Sequence, residues 1–352
     1  MDKRRYFARR IANALLLLIL IASFNFALFR ILPGDPARLL VPKGRFSMEA
    51  IEKQRKTFHL DRHILVQFGF YWQDTFPKVW REHIPLPWTD KELRLWPFGP
   101  DERKPVVEFG ESFKEKRAVL EVVKERIWPT VLLVGTGTVL ATIVGMVAGV
   151  FAGWKRNGKF DIFSTNLGMI MYSMPTFWSG LLFIMFFSVY LGWFPVGRMY
   201  DPGVTYANWW DQFTALIHHL ALPAITFAIT YAGEYQLIMR SSLTGVMTED
   251  FVLTARAKGL SDNKVLWRHV APNAMLPSVT LVMMNLGFIM TGAILTEAIF
   301  NWPGLGLLSY ESMVNRDYPV MQAVFLLASV AVIVANLMAD IMYYYLDPRV
   351  KA

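Results

Sequence analysis

Few residues of this 352-residue chain have the type and spacing to carry out bond chemistry. There is no cysteine, which excludes a disulfide framework, thiolate catalysis and any sulfur-ligated zinc. His59 and His63 stand four apart, a spacing that puts two imidazoles on one helical face. No third ligand lies near them in sequence, so no metal site is expected. Gly153–Phe160 reads Gly-Trp-Lys-Arg-Asn-Gly-Lys-Phe and imitates a phosphate loop. Phe160 lacks the hydroxyl that magnesium needs, and the segment follows an apolar run instead of a buried strand. Nucleotide chemistry is therefore not expected in this chain, nor any cofactor. Three acids fall within apolar runs, Glu234, Glu297 and Asp340. Ionisable groups at such depth are costly and default to a functional reading. Glu234, followed by Gln236, is the best candidate to line a polar pathway, with Glu297 as a second. No Lys or His lies with them at mid-membrane to form a proton relay, and no His/Asp/Glu or Ser/His set converges there for hydrolysis.

The elements that hold these residues are membrane elements. Hydrophobic residues make up 54% of the chain and charged ones 18%, against about 25% charged in soluble domains. Crossing a bilayer takes about 20 apolar residues. Six runs qualify: 11–32, 127–153, 162–193, 217–240, 275–300 and 319–345. The first follows Lys3, Arg4, Arg5, Arg9 and Arg10 but has no small-x-small cleavage site, so it reads as a retained helix. The fold class is thus an all-α polytopic membrane protein with six transmembrane helices.

Lys and Arg concentrate in residues 1–10, in 154–161, in 240–271 and in the C-terminal tail. After the third and fifth runs only Arg198 and Arg316 occur. The positive-inside rule then puts both termini and both basic loops in the cytoplasm. The block at 33–126 holds 18 Lys/Arg and 15 Asp/Glu and is read as external. The net charge of +8 follows from topology and does not call for nucleic acid. Within the external block, a Pro- and Trp-rich section spans 77–105. Trp72, Trp80, Trp88 and Trp96 recur every eight residues without an apolar pattern, so no repeat is assigned.

Two patterns concern helix packing. Gly137, Ala141, Gly145, Gly149 and Gly153 keep a spacing of four in the second run. They form one small-residue face on which another helix can lie closely, most simply within the same chain. Pro175 removes a backbone hydrogen bond inside the third run and should kink it.

The loop 241–274 carries the most specific signal. Thr248 is expected to cap a short helix, with Glu249 and Asp250 at the positive end of its dipole. Gly259 supplies a left-handed stop, and Ser261 opens a second helix that is expected to end at Ala271-Pro272. Phe251, Ala255 and Leu260 are expected to form an exposed apolar stripe among Arg256, Lys258, Lys264, Arg268 and His269. Such a helix suits insertion into another protein's groove.

These residues, with Thr254–Ser261 and Arg268-His269, resemble the coupling loop of ABC importer permeases. More narrowly they resemble the B-type permease subunit of the dipeptide/oligopeptide/nickel group. Further matches are Leu32–Ala37, Leu60–Arg62 with Gln67, Phe109–Ser112, Phe300–Gly306, Arg316–Pro319 and Leu346–Arg349. They run in order over nearly the whole chain. The section 77–105 stands out as an insertion relative to that group. The resemblance implies a type I ABC importer permease architecture in a prokaryotic inner membrane, with a large external segment after the first helix. It implies a heterodimer with a second permease, two cytoplasmic ATPase subunits that bind ATP and magnesium, and an external solute-binding protein. Ala255 and Gly259 would be the core of the coupling helix, flanked by Glu249, Phe251, Arg256 and Lys258. Peptides are the implied cargo, with oligosaccharides or nickel and other metal chelates as alternatives. The runner-up of another class is an ion-coupled secondary carrier.

Overall fold

In the computed structural model the residues described are 3–31, 52, 62–75, 109–289 and 293–346. His59, the whole of the section 77–105 and the motifs at 32–37 and 347–349 lie outside them. Every regular element among the described residues is helical. One isolated antiparallel bridge, Glu111 to Ala118, is the exception. A bilayer enforces this, since a spanning segment must satisfy its own backbone groups.

The helices are α1 (Lys3–Ile31), α2 (Ile64–Thr75), α3 (Val119–Trp154), α4 (Lys159–Ser173) and α5 (Thr176–Phe183). A π-helical stretch, Ile184–Tyr190, continues α5. Then follow α6 (Trp209–Val246), α7 (Asp250–Ala257) and α8 (Asp262–Val265), the last prolonged through Leu266–Val270 and Ala271–Ala274. The chain closes with α9 (Leu276–Ile289), α10 (Ile294–Ile299), α11 (Leu305–Asn315) and α12 (Tyr318–Leu346). Four of these are long and apolar enough to cross a membrane: α1, α3, α6 and α12. Leu15, Leu16, Leu20 and Phe24 of α1 are each more than half exposed, which suits lipid as the surrounding medium.

The third apolar run is more than kinked. Met174 is extended (φ −79°, ψ 129°), as a residue before proline prefers, and Pro175 opens a new helix. The pair α4 and α5–Tyr190 is bent by 102°. The expected end of α8 at Pro272 does not occur. Proline costs nothing in a first turn, so Pro272 begins the next helical stretch and the path runs on to α9.

The chain divides into two compact units. One comprises residues 1–18, 126–310 and 327–352, and the other 19–125 and 311–326. In the first, the small face of α3 lies on α6. A Cβ on Gly145 would come 2.5 Å from the Ala232 carbonyl oxygen, and one on Gly149 2.7 Å from that of Gln236. Gly137 faces Phe227, and Gly153 faces Leu243. Ala141 is buried with Ala228 and Tyr235. Arg10 and Asp340 form an ion pair at 3.2 Å in the same unit.

In the second unit, Phe26 meets the rings of Phe68 and Tyr71 at 5.2 and 5.3 Å. Asp317 is buried and accepts from Ser112 Oγ at 2.5 Å and from the backbone N–H groups of Phe113 and Lys114, each at 3.1 Å. Two motifs some 200 residues apart are thereby stitched by one carboxylate. Arg117 forks onto Glu125 (2.6 Å to each oxygen) and reaches Glu115 at 2.7 Å. These acids, Glu125 foremost, raise its pKa further above the ordinary value.

Candidate functional site: the α7 segment

Local chemistry builds α7 differently from the expected cap. The Thr248 hydroxyl donates back to the Gly245 carbonyl at 2.7 Å and closes the end of α6. The N-cap position falls to Glu249, whose backbone is extended and whose side chain makes no capping bond. Asp250 remains in the first turn, beside the free N–H groups.

The end is well determined. Gly259 takes φ +75°. Its N–H donates to the Arg256 carbonyl at 2.9 Å, and the Leu260 N–H donates to the Ala255 carbonyl at 3.4 Å. This is the paired bonding of a Schellman stop, completed by apolar contact of Leu260 with the core that holds Ala255.

The apolar stripe is partly overturned. Ala255 is buried, as is Val252. The two pack into a core with Val150 of α3, Met239 and Leu243 of α6, and Val265, Leu266, Val270, Ala271 and Ala274. Leu260 is half-buried against the same cluster. At 100° per residue, positions 252 and 255 share one face, so the sequence pattern marked the docking side of the helix and not its free side. The free side carries Leu253, 61% exposed, with Phe251 at 40% on the flank. Lys258 and Arg256 are exposed. The Arg256 guanidinium lies 5.7 Å from the ring centre of Trp154, a cation–π contact that ties it to the end of α3. What results is a short helix held rigidly from below and open above.

The pathway candidates separate. Glu234 is half-buried on α6. Gln236 is buried and does not line an opening in this chain: its Nε2 reaches Thr165 Oγ1 at 3.4 Å, and its Oε1 abuts Gly168. Glu297 is fully buried as well. It accepts from Thr130 Oγ1 at 2.8 Å and from the Leu307 N–H at 2.9 Å. Gly304 leaves the space that Thr130 and Glu297 occupy, and Trp302 Nε1 donates to the Pro129 carbonyl at 2.8 Å. The motif Phe300–Gly306 thus wraps a carboxylate for structural reasons. Thr130 was not legible beforehand, because nothing local marks a lone threonine as the partner of an acid 167 positions away.

Among the described residues no three His, Cys, Asp or Glu side chains gather as metal ligands. His63 is exposed. His219 is buried, 3.4 Å from Asp201, and the exposed His218 meets the Trp193 carbonyl at 2.8 Å. The stretch 153–160 is a helix–turn–helix with Asn157 at φ 64°, unlike a strand-to-helix phosphate loop.

Comparison with known proteins agrees with this architecture. The family described as the binding-protein-dependent transport system inner membrane component matches residues 145–352. Its N-terminal companion matches residues 3–83. The chain is 32% identical over 349 residues to a protein of Brucella suis biovar 1 provisionally named a peptide permease, with 99% of each chain covered. It is 33% identical over 348 residues to the glutathione transport system permease protein GsiC of Escherichia coli K12, with 98% of each covered.

Proposed function

Because the chain belongs to the family of binding-protein-dependent transport system inner membrane components, we propose that it forms half of a peptide-import pathway driven by separate ATPase subunits. It is a multi-pass membrane permease of the ABC type. The finer reading is a heterodimer with a second, related permease, two cytoplasmic ATPases that bind ATP and magnesium, and an external solute-binding protein. Both termini and α7 face the cytoplasm, in keeping with the Lys/Arg distribution. The cargo is peptidic, on the strength of relatives named for peptide and glutathione transport.

One observation carries this reading: α7 is fixed through Val252 and Ala255 while Leu253 and Phe251 stay open. A helix docked on one side transmits force from whatever grips the other. In the assembled transporter α7 inserts its Leu253 side into a groove of an ATPase, with Phe251 and Lys258 on one flank and Arg256 on the other. Glu249 and Gly259 set its two ends. Glu234 is the remaining candidate within this chain to line the cargo path. ATP binding draws the ATPases together and moves α7, opening the permease toward the loaded binding protein.

The test is a photo- or thiol-crosslink from Leu253→Cys in the assembled complex, followed by uptake of a dipeptide and of glutathione in vesicles. Crosslinks to the ATPase and ATP-dependent uptake are expected. A label at Leu253 that never reaches the ATPase, or uptake that proceeds without ATPase subunits, overturns the reading. The second outcome favours an ion-coupled carrier.

A further inference from the structure

An ion pair between α4 and α6 has no part in the transport role described above. Asp161, in the first turn of α4, is 1% exposed. Arg240 of α6 addresses both carboxylate oxygens: Nη2 donates to Oδ2 at 2.8 Å, and Nε donates to Oδ1. The Asn157 N–H adds a bond to Oδ2 at 2.8 Å and Thr165 Oγ1 one to Oδ1 at 3.2 Å. A planar fork on a carboxylate fixes orientation as well as distance. Lysine, a compact point charge, does not reproduce it.

The position of Arg240 gives the pair its meaning. Met239 and Leu243, on either side of it along α6, belong to the core that grips Val252 and Ala255 of α7. The α3 glycines Gly149 and Gly153 lie against the Arg240 backbone, leaving it little freedom to shift independently. On the far side, α4 is joined to α6 a second time where Gln236 meets Thr165 and a third time where Gly233 meets Gly168. Beyond that, α4 leads into the sharp break at Pro175.

We propose that Asp161 and Arg240 are positioning residues that make α7 and α4 move as one body, so that a displacement of the ATPase-facing helix reaches the broken span. The proposal rests on α7 being the ATPase-facing helix. Apolar cores slide, whereas a bidentate grip on a buried carboxylate has one geometry; this clamp is what turns a push on Leu243 into a rotation of α4. Coupling of this kind is a measurable free-energy link between two sites and not a matter of proximity.

This chain has no cysteine, so the introduced thiols are the only ones it carries. Spin labels at Asn263→Cys on α8, which shares the core of α7 through Val265, and at Met169→Cys on α4, both exposed, report the distance between the α7 unit and α4. They are read in the complete transporter without nucleotide and after trapping with ATP and vanadate. The expected parental result is one narrow distance distribution that is the same in both states. Asp161→Asn and Arg240→Lys are expected to broaden it or split it on trapping. Dipeptide or glutathione transported per ATP hydrolysed should fall about tenfold, while ATP is still consumed.

A purely structural pair would lower the amount of assembled complex and leave that ratio untouched. The double variant Asp161→Asn/Arg240→Gln removes both charges, leaves no unpaired buried ion, and is expected to show the same loss of coupling. Variants with parental distances and a parental ratio overturn the clamp, as does a parent whose two labels separate on trapping. Failure of the α7 reading would appear separately, as a parental Leu253→Cys that does not crosslink to the ATPase.

Discussion

Two segments of the same compact unit are anchored by different physics. Residues 249–260 dock through apolar contacts of Val252 and Ala255, with one face left open. Residues 293–307 close around the Glu297 carboxylate, with Phe300, Trp302 and Leu305 fully buried. Apolar docking leaves the outward half of a short helix free for a partner. A buried carboxylate must have its bonds met on every side, so the groups around it are committed to it. An acid at membrane depth is therefore not by itself a pathway residue; what surrounds it decides. The two segments differ in what anchors them, apolar surface in one and a buried carboxylate in the other.

The contrast breaks most visibly at Glu297. Glu297→Leu strands the Thr130 hydroxyl and the Leu307 N–H, a cost of about 2–6 kcal/mol, since each buried unpaired group forfeits about 1–3. The expected outcome is a large fall in the melting temperature of the detergent-purified permease. A parental melting curve would show that the node is not load-sharing. Gly259→Val should cost less stability, about 1–3 kcal/mol of local strain at φ +75°. Nothing lies within 4 Å of the added Cβ, so strain and not crowding is the cause. Uptake should be lost while the permease still assembles, and Gly259→Asn, which tolerates this conformation, should restore part of it. The smallest effect is expected at Gly245, where an added Cβ meets open space in a helix. Gly245→Ala should be neutral or stabilising by up to about 1 kcal/mol. A marked loss of assembled transporter would instead identify Gly245 as a contact with another subunit.

Period and composition carried the local features a long way. The spacing of Gly137 through Gly153 announced a close helix contact, and the structure supplies α6 as the partner. Gly259 announced a left-handed stop, and Pro175 a disruption. The free face of α7 was misjudged for a definite reason. An apolar residue on a hydrophilic loop is equally suited to docking on its own chain and to docking on another, and Ala255 does the former. The burial of Gln236 and Glu297 was illegible for the complementary reason, since the Thr165 and Thr130 that meet them are 71 and 167 residues away.

What the sequence by itself determined is whatever depends on one helix at a time: which stretches prefer lipid, where they break, which face is smooth. Those properties follow from side-chain transfer energies and backbone sterics, which act over a few residues. Which buried polar group finds which partner was left to tertiary structure. The pairing of Asp161 with Arg240, 79 positions on, has no period or motif to announce it. It exists only because the glycine face of α3 lets α6 come close and α4 returns alongside, bringing a buried carboxylate within reach of a guanidinium.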